Sequence, residues 1–107
     1  MQGLKEQINS EIAAGGVLMY SKSGCPYCVR AKALLNNGGV QFKLVELDQM
    51  SNGSTIQDTL QGISGQRTVP NIYINKQHVG GCSELQGLER SKKLGPMLTA
   101  AGIAHKF

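Results

Sequence analysis

Cys25 and Cys28, separated only by Pro26 and Tyr27, are the residues best able to do chemistry, and a third cysteine, Cys82, lies far downstream. A close pair with a distant single cysteine points to redox chemistry or metal binding. An odd count does not suit a structural disulfide framework. If Cys25 is the N-cap of a helix, Pro26 occupies N1, where its missing N–H costs nothing, and Cys28 occupies N3. The Cys25 sulfur then faces the unpaired N–H groups of the first turn and the positive end of the helix dipole. Both favour the thiolate, so Cys25 is expected well below the free-thiol value of about 8.5, with Lys22 adding a cation. Cys28, one turn further in, is within disulfide range and is expected to be more buried and less ionised. Cys25 attacks and Cys28 resolves. A zinc site is the competing reading of C-x-x-C; with no second pair, its other ligands would have to be Cys82 and His78 or His105.

These residues need a strand before them and a helix after them. Leu4, Ile8 and Ile12 recur every fourth residue, one face of an N-terminal helix that Gly15-Gly16 ends. Val17-Leu18-Met19-Tyr20 is a continuous apolar run, the mark of a strand covered on both faces. After Cys28, Ala31, Ala33, Leu34 and Leu35 continue a helix that stops near Asn36-Asn37-Gly38-Gly39, and Val40 to Leu47 reads as a second strand. Strand, helix, strand implies parallel neighbours. Ile56, Leu60 and Ile63 mark a third helix, capped by Asn52 or Ser54. Asn71 to Asn75 and His78 to Gly80 read as a hairpin. Leu85 and Leu88 open a C-terminal helical region that Leu94, Met97, Leu98 and Ala101 continue across a break at Gly95-Pro96. The order α-β-α-β-α-β-β-α describes an α/β sandwich of about four strands.

A chain of 107 residues forms a single domain, 1–107, on the usual size relation. Its 40% hydrophobic and 17% charged residues are those of a soluble globular protein. No apolar stretch approaches the length of a membrane span. The N-terminal residues 1–14 carry neither a secretory h-region nor transit-peptide character, so a cytoplasmic location is expected, or an organellar one after removal of a leader. The net charge of +4 is spread along the chain rather than clustered, which disfavours a nucleic-acid partner and suits small anions.

Three motifs together, Ser21-Lys22-Ser23-Gly24-Cys25-Pro26-Tyr27-Cys28, Thr68-Val69-Pro70 and Gly80-Gly81-Cys82, resemble those of the dithiol glutaredoxins over nearly the whole chain, from Val17 to about Ala101. The resemblance implies a thioredoxin-like three-layer sandwich, a four-stranded mixed sheet flanked by about five helices. It implies glutathione as co-substrate, no metal, and a monomer that acts on glutathionylated or disulfide-bonded proteins. Val69-Pro70 would be a cis peptide facing the cysteines, its Val69 N–H and C=O pairing with an extended peptide in strand fashion. Lys22, Gln57 and Arg67 would meet the glycyl carboxylate of glutathione, although singly each reads as an ordinary solvated side chain. The N–H groups of Cys82 and Ser83, opening a helix after Gly81, would hold the γ-glutamyl carboxylate. Ser83 or Glu84 would take the ammonium, Tyr27 would flank the sulfur, and Thr68 and Pro70 would complete the wall. Many members carry Asp-Asp where this chain has Ser83-Glu84. Gly24 replaces a larger residue, so a looser loop before Cys25 is expected, and Lys76 stands where a turn glycine is common. Cys82 reads as a small buried residue or, alternatively, as a site of glutathionylation.

The implied reaction is attack by the Cys25 thiolate on the glutathione-side sulfur of a mixed disulfide, followed by release with a second glutathione. For protein disulfides Cys28 closes the cycle. Other readings of the same residues are a thioredoxin-type reductase, against which stand the absence of Trp and the Pro-Tyr between the cysteines; an iron–sulfur scaffold using Cys25 and glutathione, which Pro26 stiffens against; and a binding module without turnover.

Overall fold

The run Val17-Leu18-Met19-Tyr20 forms the strand β1, Val17–Ser21, and every residue of it is buried. Alternation along a strand sends neighbours to opposite faces, and each face has its own core. Val17 and Met19 join Ile72 and Ile74 under Ala31, Leu35, Leu85, Leu94 and Leu98. Leu18 and Tyr20 join Tyr73 under Ile8, Ile56 and Leu60. The computed structural model describes residues 2–107. In chain order its elements are α1 (Gln2–Ala13), β1, α2 (Pro26–Asn37), β2 (Lys43–Glu46), a 3-10 turn (Leu47–Gln49), α3 (Gly53–Ser64), β3 (Asn71–Ile74), β4 (Gln77–Gly80), α4 (Cys82–Arg90) and α5 (Leu94–Ala100). Helices α1 and α3 cover one face of the sheet, and α2, α4 and α5 cover the other. No helix among the described residues is long and apolar enough to cross a membrane.

The sheet order is β2-β1-β3-β4. β1 runs parallel to β2 and antiparallel to β3, and β3 is antiparallel to β4. This register builds the site. Tyr20, near the end of β1, pairs with Asn71 at the start of β3, so the loop carrying Cys25 emerges beside the loop carrying Val69-Pro70. Ile72 in turn pairs with Gly80, which brings Gly81 and Cys82 to the same end of the sheet.

The structure departs from the sequence-based expectations at four places. β2 covers only Lys43–Glu46 of the expected 40–47, because Leu47 turns into the 3-10 segment and is buried there. Asn52 caps α3 by position but makes no side-chain cap hydrogen bond. The C-terminal helices part at Ser91–Lys93, where Lys92 takes φ 63°, and not at Gly95-Pro96. Pro96 lies in the first turn of α5, whose N–H groups have no intrahelical acceptor to lose. The hairpin strands are Asn71–Ile74 and Gln77–Gly80 rather than 71–75 and 78–80, because Asn75 leaves the strand to form, with Lys76, a two-residue type I′ turn, both residues at positive φ (50° and 72°).

Candidate active site

Cys25 is the N-cap of α2, in extended conformation, with Pro26 at the first helical position. Its sulfur accepts the Cys28 N–H at 3.3 Å and lies 3.8 Å from the Val69 carbonyl oxygen. Burial alone would push the Cys25 thiol up. Hydrogen bonds from the Cys28 thiol and from the N–H groups of Cys28 and Tyr27, with the field of Lys32, outweigh it and hold the thiol below its ordinary value. Cys28 is fully buried. Burial pushes its thiol up, and donating to Cys25 pushes it further, against the lowering effect of the Lys22 backbone and the Ser21 hydroxyl. The two thiols are therefore moved in opposite directions, Cys25 down and Cys28 up, as the N-cap argument expects.

The cation differs from the expected one. Lys32 acts on Cys25, while the field of Lys22 falls on Asp48. Lys32 is held by Glu46 at 2.7 Å, and both side chains are only 18% exposed. The loop before Cys25 is also firmer than its glycine implies. The Ser23 N–H donates to Asp48 Oδ1 at 3.0 Å, the Ser23 hydroxyl donates to Oδ2, and the Cys25 N–H donates to the Lys22 carbonyl at 3.1 Å. The hydrogen bonds from Ser23 hold Asp48 below its ordinary value. Asp48 and Glu46 were not singled out from the sequence. Their partners lie 25 and 14 residues away, and no local pattern announces such pairs.

Next to Cys25 lies an open groove of about 470 Å³ lined by Tyr27, Thr68, Val69, Pro70, Gly81, Cys82, Ser83 and Glu84. Val69-Pro70 is cis, as expected. Tyr27 is 60% exposed and carries the Arg30 guanidinium over its ring at 5.3 Å. On the far wall, Glu84 turns back to the start of α4: Oε1 accepts the Gly81 N–H at 2.7 Å and Oε2 accepts the Ser83 hydroxyl at 2.9 Å. These bonds hold its carboxyl below the usual range. As the first two of α4, the N–H groups of Cys82 and Ser83 have no intrahelical acceptor, which suits an anion. Cys82 is buried, and burial pushes its thiol up.

Three residues assigned to the same ligand lie outside the groove's lining. Arg67 pairs with Asp58 at 2.9 Å and reaches the Ser54 hydroxyl at 3.2 Å. Lys22 is half-buried. Gln57 is not the solvated side chain expected of it singly. It is 6% exposed, and its amide donates to the Arg67 carbonyl at 3.0 Å. The zinc reading finds no support in the geometry. His78 bonds Asn71, His105 bonds Thr99, and among the described residues no three of His, Cys, Asp and Glu converge.

A half-exposed, acidified cysteine at a helix start, its buried partner thiol one turn below, and a free backbone edge opposite define a dithiol redox centre on a thioredoxin-like fold. The glutaredoxin family model matches residues 17–79. Glutaredoxin-C2 of Arabidopsis thaliana is 51% identical over 102 residues, covering 95% of this chain and 88% of that protein. Glutaredoxin-C6 of Oryza sativa subsp. japonica is 50% identical over 91 residues, covering 85% and 81%. A buckwheat glutaredoxin–glutathione complex superimposes with a TM-score of 0.90 at 38% identity, covering 94% of this chain and 92% of that one. The chain belongs to the glutaredoxin family of thiol–disulfide oxidoreductases.

Proposed function

We propose that the protein reduces mixed disulfides between proteins and glutathione, drawing its electrons from glutathione. The observation that carries this reading is the Cys25 sulfur, which accepts the Cys28 N–H and lies 3.8 Å from the carbonyl of Val69, a residue that lines the groove between the cis-proline loop and the start of α4. The Cys25 thiolate attacks the glutathionyl sulfur, forming a Cys25–glutathione disulfide and expelling the protein thiolate, which takes up a proton. A second glutathione thiolate attacks the glutathione sulfur of that intermediate, releases oxidised glutathione and returns Cys25 as thiolate. In sum the protein sulfur is reduced to a thiol, the incoming glutathione sulfur is oxidised, and the glutathionyl sulfur remains in a disulfide throughout. In the groove, Val69 offers its N–H and C=O to the peptide backbone of the ligand, and the start of α4 receives a carboxylate. Lys22 and Arg67 border the site and contribute at range rather than by contact. For protein disulfides, Cys28 is the resolving thiol. The reading also takes the chain to act as a monomer.

A coupled assay tests the proposal: reduction of a glutathionylated peptide by glutathione, with oxidised glutathione consumed by glutathione reductase and NADPH. Wild type is expected to turn over and Cys25→Ser to be inactive. A wild type that is folded, fully reduced and inactive refutes it. Support comes from the family membership and from a relative solved with glutathione.

A further inference from the structure

The loop from Gln66 to Pro70, whose last three residues line the groove, has five carbonyls, and side-chain amides engage four of them. Asn71 Nδ2 donates to the Gln66 carbonyl at 3.3 Å, and Gln57 Nε2 to that of Arg67 at 3.0 Å. Gln66 Nε2 donates to the carbonyls of both Thr68 and Pro70, at 3.1 and 3.0 Å. The carbonyl without such a donor is that of Val69, which faces the Cys25 sulfur at 3.8 Å. Neither the N–H nor the C=O of Val69 has a backbone partner among the described residues. The exception is the residue whose backbone the ligand would use.

The bracket has a foundation. Asn71 is 1% exposed, so a lost partner would leave a buried amide group unpaired. Its Oδ1 lies 3.0 Å from His78 Nε2. Since Nδ2 is committed to Gln66 and Oδ1 only accepts, Nε2 carries the proton and donates. His78 thus fixes which way the Asn71 amide points, Asn71 fixes the backbone of Gln66, and the Gln66 side chain spans Val69 from both sides. Sequence spacing gives no hint of this, because each donor reads singly as a solvated amide.

We propose that Gln66, oriented through Asn71 and His78, is a positioning residue that holds the Val69 backbone edge open toward the groove and against Cys25. The inference rests on the groove being the glutathione site. It separates two properties that share this corner of the molecule: the reactivity of Cys25, set by α2, and the binding edge, set by the amide bracket.

The test is Gln66→Met, which keeps the length of the side chain and removes its donor without adding charge. Gln66 is partly exposed, so the chain is expected to fold. With the glutathionylated peptide as substrate, KM should rise about three- to tenfold, the equivalent of one or two hydrogen bonds. The kcat should stay within about twofold, since the first turn of α2 is untouched. The pH profile of Cys25 alkylation should coincide with that of wild type. Gln66→Ala, which removes the amide by truncation, should give the same split. An unchanged KM in both variants, whatever their thermal midpoints, overturns the proposal by reducing Gln66 to a structural residue. A shifted alkylation profile also overturns it, by showing that the bracket acts on Cys25. An inactive wild type would instead remove the functional reading beneath it.

Discussion

Gly53 opens α3 directly behind the 3-10 turn that carries Asp48, and adding one methyl group there should be costly. A Cβ at Gly53 would stand 2.0 Å from the Leu47 carbonyl oxygen, 2.9 Å from its carbonyl carbon and 3.3 Å from Leu47 Cβ. A carbon settles against a carbonyl oxygen at roughly 3.3 Å, so the shortfall is about 1.3 Å. The obstructing atoms are backbone, so no rotamer change relieves them. Gly53 is buried, and Leu47 is 2% exposed and packed against Ile56 and Leu60. Overpacking of this kind costs about 1–3 kcal/mol, and the size of the overlap places Gly53→Ala at the upper end. For a domain near this length each kcal/mol moves the thermal midpoint by about 4–8 °C, so a fall of roughly 10–20 °C is expected. The control lies in the same helix. Gly62 has nothing within 4 Å of an added Cβ, and its replacement by Ala should stabilise by about 0.5–1 kcal/mol through helix propensity alone. Urea denaturation of the two variants, with the thiols kept reduced, reads both signs. A Gly53→Ala protein as stable as Gly62→Ala would refute the reasoning.

Lys32→Met should move the midpoint of Cys25 alkylation to higher pH, and Lys22→Met should move it less, because the field acting on the thiol is that of Lys32; equal shifts would contradict the assignment. The Cys25 thiol is lowered by folding, so its contribution to stability is fully present above the unfolded thiol value of about 8.5 and is lost as pH falls through the folded value. Wild type should accordingly gain stability over Cys25→Ser as pH rises, which urea midpoints across neutral and alkaline pH would reveal; a constant difference would speak against it. Lys76→Gly should stabilise by about 1 kcal/mol, since a non-glycine residue at φ 72° bears the left-handed penalty, and thermal denaturation reads the gain.

Features set by neighbours along the chain were legible in the sequence. Pro26 and the spacing of Cys25 and Cys28 define a helix start on their own, and the apolar run at Val17 defines a strand covered on both faces. Features set across the sheet were not. Asp48 holds Ser23, Glu46 holds Lys32, and Gln57 holds the Arg67 carbonyl through contacts that depend on which strands and helices become neighbours. A polar side chain that ends up buried looks, in sequence, the same as one in water. Gln57 reads singly as a solvated side chain for that reason, Asn71 reads only as the start of a strand, and nothing in the sequence singles out Gln66. Gly95-Pro96 reads as the break between α4 and α5 because proline commonly stops a helix, whereas in a first helical turn it is a tolerated residue.

The two thiols of the site differ in a way that bears on the route of reduction. Hydrogen bonds and the helix start favour the charged form of Cys25, and a low-pKa thiol is both ionised for attack and a good leaving group. Cys28 shares the same turn but is fully buried, and its thiol is pushed up. To resolve a mixed disulfide on Cys25 it must first give up a proton without solvent at hand. It also loses its role as donor to Cys25 once that sulfur is bonded. An incoming glutathione faces neither obstacle, since it arrives through the open groove and can ionise in water. On the proposed function, a small thiol in excess therefore competes well with Cys28 for the Cys25–glutathione intermediate. A bound protein chain that covers the groove shuts that route and leaves Cys28 as the nearest sulfur. On the proposed function the same pair serves both kinds of disulfide, with access to the groove deciding which thiol completes the turn.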